Sequence, residues 1–198
     1  MKTNKILKNL FFTGTIILFA FVFNSCKKDK NIDTKEIAQE ENEEKFDNSK
    51  QDEKDSRYLV EAAETDSKEI EIGKLAQEKS TDPDVKAFGK MMVDDHTQAA
   101  GDVKKLAARK NISLPDSMTE EARKEYDDLN KKSGLDFDKK FAEMMVKGHE
   151  KAIDKMTEAA EEAADEEIRY WATNKIPTLT EHLEHAKSLK EKIDNRKK

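Results

Sequence analysis

The chain has 198 residues, of which 40% are charged, and it contains only 6 glycines and 3 prolines. This composition is typical of one helical domain with additional segments, because few residues interrupt helices. A net charge of −6 without a clustered basic face argues against nucleic acid as a partner. The single cysteine, Cys26, excludes a disulfide within the chain.

The first 25 residues predict a lipoprotein signal peptide. Lys2, Lys5 and Lys8 precede an apolar run over residues 10–23, which is shorter than the roughly 20 residues that span a bilayer. Cleavage before Cys26 would leave it as the first residue, and its lipids would anchor the chain to a membrane. The prediction is an outer-membrane lipoprotein facing the periplasm or the cell surface. An ordinary signal peptide or an uncleaved anchor is the alternative.

Residues 26–55 predict a disordered, charged tether that begins at the lipidated cysteine. The segment is rich in Glu, Lys, Asp and Asn, and its few apolar residues show no sustained period. Such a segment buries too little apolar surface to offset the entropy lost on ordering. The folded domain is therefore predicted for residues 56–198.

Four long helices are predicted in that domain, at about 57–79, 83–109, 137–163 and 165–194, from the helical spacing of apolar residues. Ser56 and Asp136 are the expected caps of the first and third. A capping box from Ser117 to Glu120 predicts a short helix in the long middle connection, and Pro177 is expected to kink or break the last helix. Short, long and short connections predict an all-α, ferritin-like four-helix bundle with a short extra helix in the crossover. A plain up-and-down bundle is the second choice.

One motif occurs twice, as F-x-x-M-M-V-x-x-H-x-x-A beginning at Phe88 and at Phe141. In each copy the Phe, the second Met, the His and the Ala share one helix face. His96 and His149 therefore fall in an otherwise apolar stripe, which predicts that both point into the core.

Each long helix offers a His or a carboxylate to the interior. His182 and His185 lie on the last helix, and Glu69 lies on the first. Buried polar groups need hydrogen bonds or a metal ion to offset their desolvation. Glu69, His96, His149, His182 and His185 are therefore candidate ligands for zinc, copper, iron or manganese.

A second interpretation of the same residues is a polar core without metal. The histidines could hydrogen-bond to Asp66, Glu69 or Asp95 and fix the register of a structural or interaction protein. Met92 and Met145 are either core-filling residues or soft additional ligands for Cu(I). The sequence leaves both interpretations open, together with protein partners and a homo-oligomer.

Enzyme activity has less support from the sequence. Di-iron carboxylate bundles carry a Glu-x-x-His pair on each of two helices. Here Val93 precedes His96 by three residues and Val146 precedes His149 by three. The prediction leans toward a protein that is not an enzyme, and a redox activity at the same site is the least favoured interpretation.

Several separated motifs resemble a bacterial family of exported, ferritin-like proteins with a domain of unknown function, which includes predicted outer-membrane proteins. The motifs are Glu69-Ile-Glu-Ile-Gly-Lys-Leu-Ala76, Val85-Lys-x-Phe88, Met92-Val-x-Asp-His96-Thr, Met145-Val-x-x-His149-Glu-Lys and Pro177-Thr-Leu-x-x-His182-Leu. The resemblance covers about residues 57–190.

The resemblance implies a ferritin-like bundle in the cell envelope and supports Glu69, His96, His149 and His182 as the positions of interest. It implies no activity. The chain departs from the family pattern at Gly148, where an acidic residue often precedes the histidine. His185 resembles an addition to the pattern.

Overall fold

The computed structural model describes residues 33–196, which form six helices and contain no strand. The helices are α1 (Thr34–Lys45), α2 (Lys50–Lys79), α3 (Pro83–Arg109), α4 (Glu120–Asn130), α5 (Gly134–Glu162) and α6 (Glu166–Asp194). The predicted all-α class is confirmed, and the four long helices are α2, α3, α5 and α6.

Tight turns join α2 to α3 and α5 to α6, because the second helix of each pair has a strong cap. Asp82 accepts hydrogen bonds from two backbone N–H groups in the first turn of α3, and Asp165 does the same for α6. The α2–α3 hairpin is especially close where Gly73 faces Gly89. A Cβ atom on Gly73 would lie 2.6 Å from the carbonyl oxygen of Gly89, so this crossing requires glycine.

The two hairpins pack with α2 against α5 and with α3 against α6. Asp55, near the start of α2, accepts hydrogen bonds from the backbone of Ala164 and Asp165 just after α5. At the other end of the bundle, Ser80 donates a 2.7 Å hydrogen bond to Asp138 near the start of α5. Helices α2 and α5 are therefore antiparallel, and α3 and α5 are parallel.

Parallel α3 and α5 require a connection that returns along the whole bundle. Residues 110–133 provide it, and α4 lies within it, packed against α2 and α5. This connection is the crossover that the long gap predicts. The ferritin-like arrangement with a short extra helix is confirmed.

The predicted disordered tether is wrong from residue 34 onward, because α1 and the first turns of α2 occupy that range. Helix α1 packs on α2 and is hydrogen-bonded to the crossover through Asn42, which is 1% exposed. Asn42 donates a 2.9 Å hydrogen bond to the carbonyl of Ser113 and accepts one of 2.7 Å from its N–H. Polar side chains and the single buried Ala38 hold α1, so no apolar stripe marks it in the sequence.

Three predicted helix starts, those of α2, α4 and α5, lie at the wrong residue. Ser49 caps α2 instead of Ser56, which is buried inside the helix and donates to a backbone carbonyl. Thr119 caps α4 instead of Ser117, since its hydroxyl accepts a hydrogen bond from the N–H three residues on. For α2 and α4, another hydroxyl residue nearby in the sequence is the cap.

Helix α5 begins at Gly134, two residues before the predicted cap Asp136. Helix α6 continues through Pro177 to Asp194, so the predicted break is wrong. Pro177 is exposed, and its side chain faces away from the core. Packing of the residues before and after it holds the helix together despite the lost hydrogen bond.

The core consists of two apolar clusters, one at each end of the bundle. The first cluster includes Ile72, Leu75, Met92, Phe137, Phe141, Met145 and Ile193. The second cluster includes Leu59, Val103, Leu106, Met156, Ala159 and Ile168. Between them, at the middle of the four long helices, lies a layer of buried polar residues.

The predicted signal peptide, residues 1–25, and the predicted lipidation site, Cys26, lie outside the described residues. Among the helices of residues 33–196, none combines the length and the apolar character needed to cross a membrane.

Candidate metal centre

Three histidines from three helices meet in the polar layer. His96 of α3, His149 of α5 and His182 of α6 are each at most 3% exposed, and one nitrogen of each lies within 4.8 Å of the others. The repeated motif explains two of them, because its copies lie at the same level on the parallel helices α3 and α5. The rings of Phe88 and Phe141 accordingly contact each other at 6.1 Å between centroids.

Glu69 of α2 completes the layer and is 1% exposed. Its Oε2 lies 2.9 Å from Nε2 of His96 and 3.4 Å from Nε2 of His149. Neither contact has the alignment of a hydrogen bond, and both carboxylate oxygens are buried without a hydrogen-bond partner among the described residues. Gly148 leaves room for this carboxylate, since a Cβ atom there would lie 2.9 Å from Oε1.

In their neutral forms, His149 and His182 have one proton too few for the contacts that they make. Nδ1 of His149 lies 2.8 Å from the carbonyl oxygen of Met145, and Nε2 of His182 lies 3.0 Å from Oδ2 of Asp95. Both partners are acceptors, so these outer nitrogens carry the protons of the neutral rings. The inner nitrogens, 3.3 Å apart, are then left facing each other with lone pairs.

His96 is held in the same way by Asp66, whose Oδ1 lies 2.8 Å from Nδ1. Burial acts to lower the pKa of His96, but the charge of Glu69 and the hydrogen bond with Asp66 outweigh it and raise the pKa to about 10. Burial likewise acts to raise the pKa of Glu69, and the charges of His149 and His96 lower it to about 2. Without a metal ion, His96 and Glu69 therefore form a buried ion pair at neutral pH.

The pKa values of the other two groups move toward the neutral forms. Burial lowers the pKa of His182, although the hydrogen bond with Asp95 opposes it. Burial also raises the pKa of Asp66, against the effect of His96. A neutral His182 keeps a lone pair on its inner nitrogen, which is the form that binds metal ions.

The inner donor atoms lie close enough together to share one metal ion. Metal bonds to His nitrogen and carboxylate oxygen are about 2.0–2.2 Å long, so neighbouring donors of a tetrahedral site lie roughly 3.3–3.6 Å apart. Of the three contacts in the centre, two measure 3.3 and 3.4 Å, and the contact between His96 and Glu69 is shorter at 2.9 Å. The outer nitrogen of each imidazole lies against a carboxylate or a carbonyl, the arrangement that orients metal-binding histidines.

The structure thus brings together four of the five predicted ligands, Glu69, His96, His149 and His182. The fifth, His185, is exposed on α6 and lies outside the cluster, and the inward positions of that turn are occupied by Leu183 and Ala186. Met92 and Met145 fill the first apolar cluster.

Two features of the centre are difficult to predict from the sequence. The carbonyl of Met145 is a backbone group, so the residue type does not indicate it. Gly148 is visible only as a departure from the family pattern, and its role depends on the position of Glu69 across the bundle.

The family defined by a domain of unknown function, DUF4142, matches residues 39–189. The chain belongs to this family. The matched part of the DUF4142 chain contains all four residues of the centre and begins inside α1. No curated protein and no solved structure matches the chain.

Proposed function

We propose that this DUF4142 domain binds one transition-metal ion through His96, His149, His182 and Glu69. The observation that carries the proposal is the convergence of three imidazole nitrogens and one carboxylate oxygen in a single buried layer. A divalent cation among them removes the proton deficit between His149 and His182. It also replaces protonated His96 as the charge partner of the buried Glu69 carboxylate, whose oxygens have no hydrogen-bond partner among the described residues.

A polar core without metal accounts for less of the geometry. It explains the hydrogen bonds of the outer nitrogens to Asp66, Asp95 and the backbone. It leaves two inner nitrogens facing each other as acceptors and both oxygens of Glu69 without hydrogen bonds, and buried groups of that kind each cost about 1–3 kcal/mol.

Three imidazoles and one carboxylate form a donor set suited to zinc, copper, iron or manganese. Zinc is the first ion to test, because it binds nitrogen and oxygen ligands in four-coordinate sites. A dinuclear site is not supported, because Val93 and Val146 occupy the positions where di-iron bundles carry glutamates. The proposed role is therefore to hold a single ion in a buried site.

We further propose that the domain is anchored in the cell envelope by lipids on Cys26. The support is the basic start of the chain, the apolar run over residues 10–23 and the position of the only cysteine directly after it. Cys26→Ser should move the protein out of the membrane fraction. Retention of the variant in that fraction would contradict the anchor.

The metal proposal is tested by elemental analysis of the full chain, purified without chelator, and by melting temperature with each added ion. We expect close to one zinc or copper ion per chain and a higher melting temperature with the bound ion, because an ion that binds only the folded state stabilises it. His149→Ala should abolish both effects.

The matched control is His185→Ala, which removes a histidine from the exposed side of α6. It should leave the metal content and the thermal shift unchanged. A full-length protein that binds none of the four metals and melts at the same temperature with each of them would overturn the proposal and favour the polar core.

A further inference from the structure

A cavity of about 560 Å³ opens beside the histidine layer and is lined by residues of all four long helices. The repeated motif explains part of it. Ala99 and Ala152 each follow a histidine by three residues, and both remain half-buried at positions where a larger side chain would fill the space. Ala62 leaves similar room on α2. The volume lies in the range of small-molecule binding sites.

The cavity has chemically different ends. His96 and His182 line it at the polar layer, so a ligand inside can reach two of the proposed metal ligands. Val103 and Met156, both from the second apolar cluster, line the part away from the layer. The apolar side chains of this part of the cavity suit the apolar body of a ligand whose polar head lies at the histidine layer.

Trp171 marks the far end of the cavity. It lies on α6 eleven residues before His182, which corresponds to about 16 Å along a helix. Its Nε1 is buried without a hydrogen-bond partner among the described residues. A ligand that spans the cavity would therefore extend from the histidines to this indole.

Charge selects the head group of the ligand. A divalent ion held by three neutral imidazoles and one carboxylate keeps a net charge of about +1 and attracts an anion. The lining itself carries both signs, with lysines such as Lys147 and Lys151 and carboxylates such as Glu61 and Glu125, so the preference for an anionic head group comes from the proposed ion.

We propose that the cavity binds a carboxylic acid with an elongated apolar body. The ion held by the four residues would accept the carboxylate as an additional ligand on the side of His96 and His182, and the body lies against Val103 and Met156 toward Trp171. The inference rests on the proposed function in one respect, which is that a metal ion receives the carboxylate.

The chain carries a built-in reporter for this site, because Trp171 is its only tryptophan. Octanoate is titrated into the zinc-loaded full chain while the fluorescence of Trp171 is recorded. Acetate supplies the carboxylate without the body, and 1-octanol supplies the body with only a hydroxyl. We expect saturable binding of octanoate that is at least tenfold tighter than that of either comparison compound.

Two leucine variants separate the cavity from the rest of the surface. Ala152→Leu fills the space beside the histidines and should weaken octanoate binding at least tenfold, with the zinc content unchanged. Ala108→Leu makes the same change at an exposed position of α3 and should leave octanoate binding as in the wild type. Equal binding by both variants would overturn the inference, as would equal affinity for octanoate and 1-octanol.

The outcome also distinguishes this inference from the proposed function. One bound zinc ion without any octanoate response overturns the inference and leaves the metal proposal standing. Absence of bound metal overturns the metal proposal. In that case, octanoate binding that is still weakened by Ala152→Leu would support the cavity as a ligand site. Absence of both metal and octanoate binding would overturn the cavity inference as well as the metal proposal.

Discussion

We expect zinc binding to displace a proton from His96. With a pKa raised to about 10, nearly every folded, metal-free molecule carries the imidazolium form at pH 8. The metal ion competes with the proton on Nε2, since Asp66 holds the proton on Nδ1. Zinc affinity should therefore rise about tenfold per pH unit, or about 100-fold between pH 6.5 and 8.5.

The assay is calorimetric titration of the full chain with zinc in buffers of different ionisation enthalpy. At pH 8, His96 should contribute about one released proton per zinc ion. His182, whose pKa is lowered, should already be neutral and contribute none. Glu69→Gln removes the charge that raises the pKa of His96, so its affinity should be weaker and less dependent on pH.

The same pKa predicts a stability change that needs no metal. A histidine whose pKa rises from 6.5 in the unfolded chain to about 10 in the fold contributes its full stabilisation below pH 6.5 and loses it as the pH approaches 10. The metal-free protein should melt at progressively lower temperature over that interval, and His96→Gln should flatten this dependence. Zinc affinity and melting that are both independent of pH would refute the assignment of the proton.

Four further variants test the packing of the helices. Gly73→Ala should destabilise the fold by roughly 1–3 kcal/mol in urea unfolding, since its Cβ would lie 2.6 Å from the carbonyl oxygen of Gly89. Gly101→Ala is the control, because its Cβ meets nothing within 4 Å, and should stabilise by about 0.5–1 kcal/mol. Asn42→Ala should cost roughly 1–3 kcal/mol and speed hydrogen exchange in α1, and equal exchange rates would contradict its fastening role. His185→Ala should change the unfolding free energy by less than about 0.5 kcal/mol.

The long helices and the histidine layer could be predicted from the sequence because the helical spacing of apolar residues indicates which side chains are buried. The repeat placed His96 and His149 on apolar faces, and α3 and α5 are indeed parallel and in register there. Helix α2 has a less regular apolar spacing, since Ile70 is only half-buried while Ile72 and Leu75 are in the core. A helix that contacts neighbours on several sides has no single apolar stripe.

The missed features depend on single polar contacts or on empty space. Helix α1 is held by Asn42 and a few other side-chain hydrogen bonds, so its composition resembles that of a disordered segment. The cavity depends on Ala99 and Ala152, and alanine is equally common in tightly packed cores. Neither feature could be derived from residue types without knowing which residues lie opposite.

The contact between Asn42 and Ser113 decides where an autonomous fragment of this chain can begin. A fragment cut at residue 56, or at residue 39 where the family match starts, would lack the cap Asp33 and all or part of α1. The fragment from residue 56 would lack Asn42, and the fragment from residue 39 would keep it on a shortened helix without its cap, so both would hold the crossover less firmly. Helix α4, which contributes Ala122 to the cavity, is part of that crossover. Ligand measurements on such a fragment would describe a different cavity from the one in the intact chain.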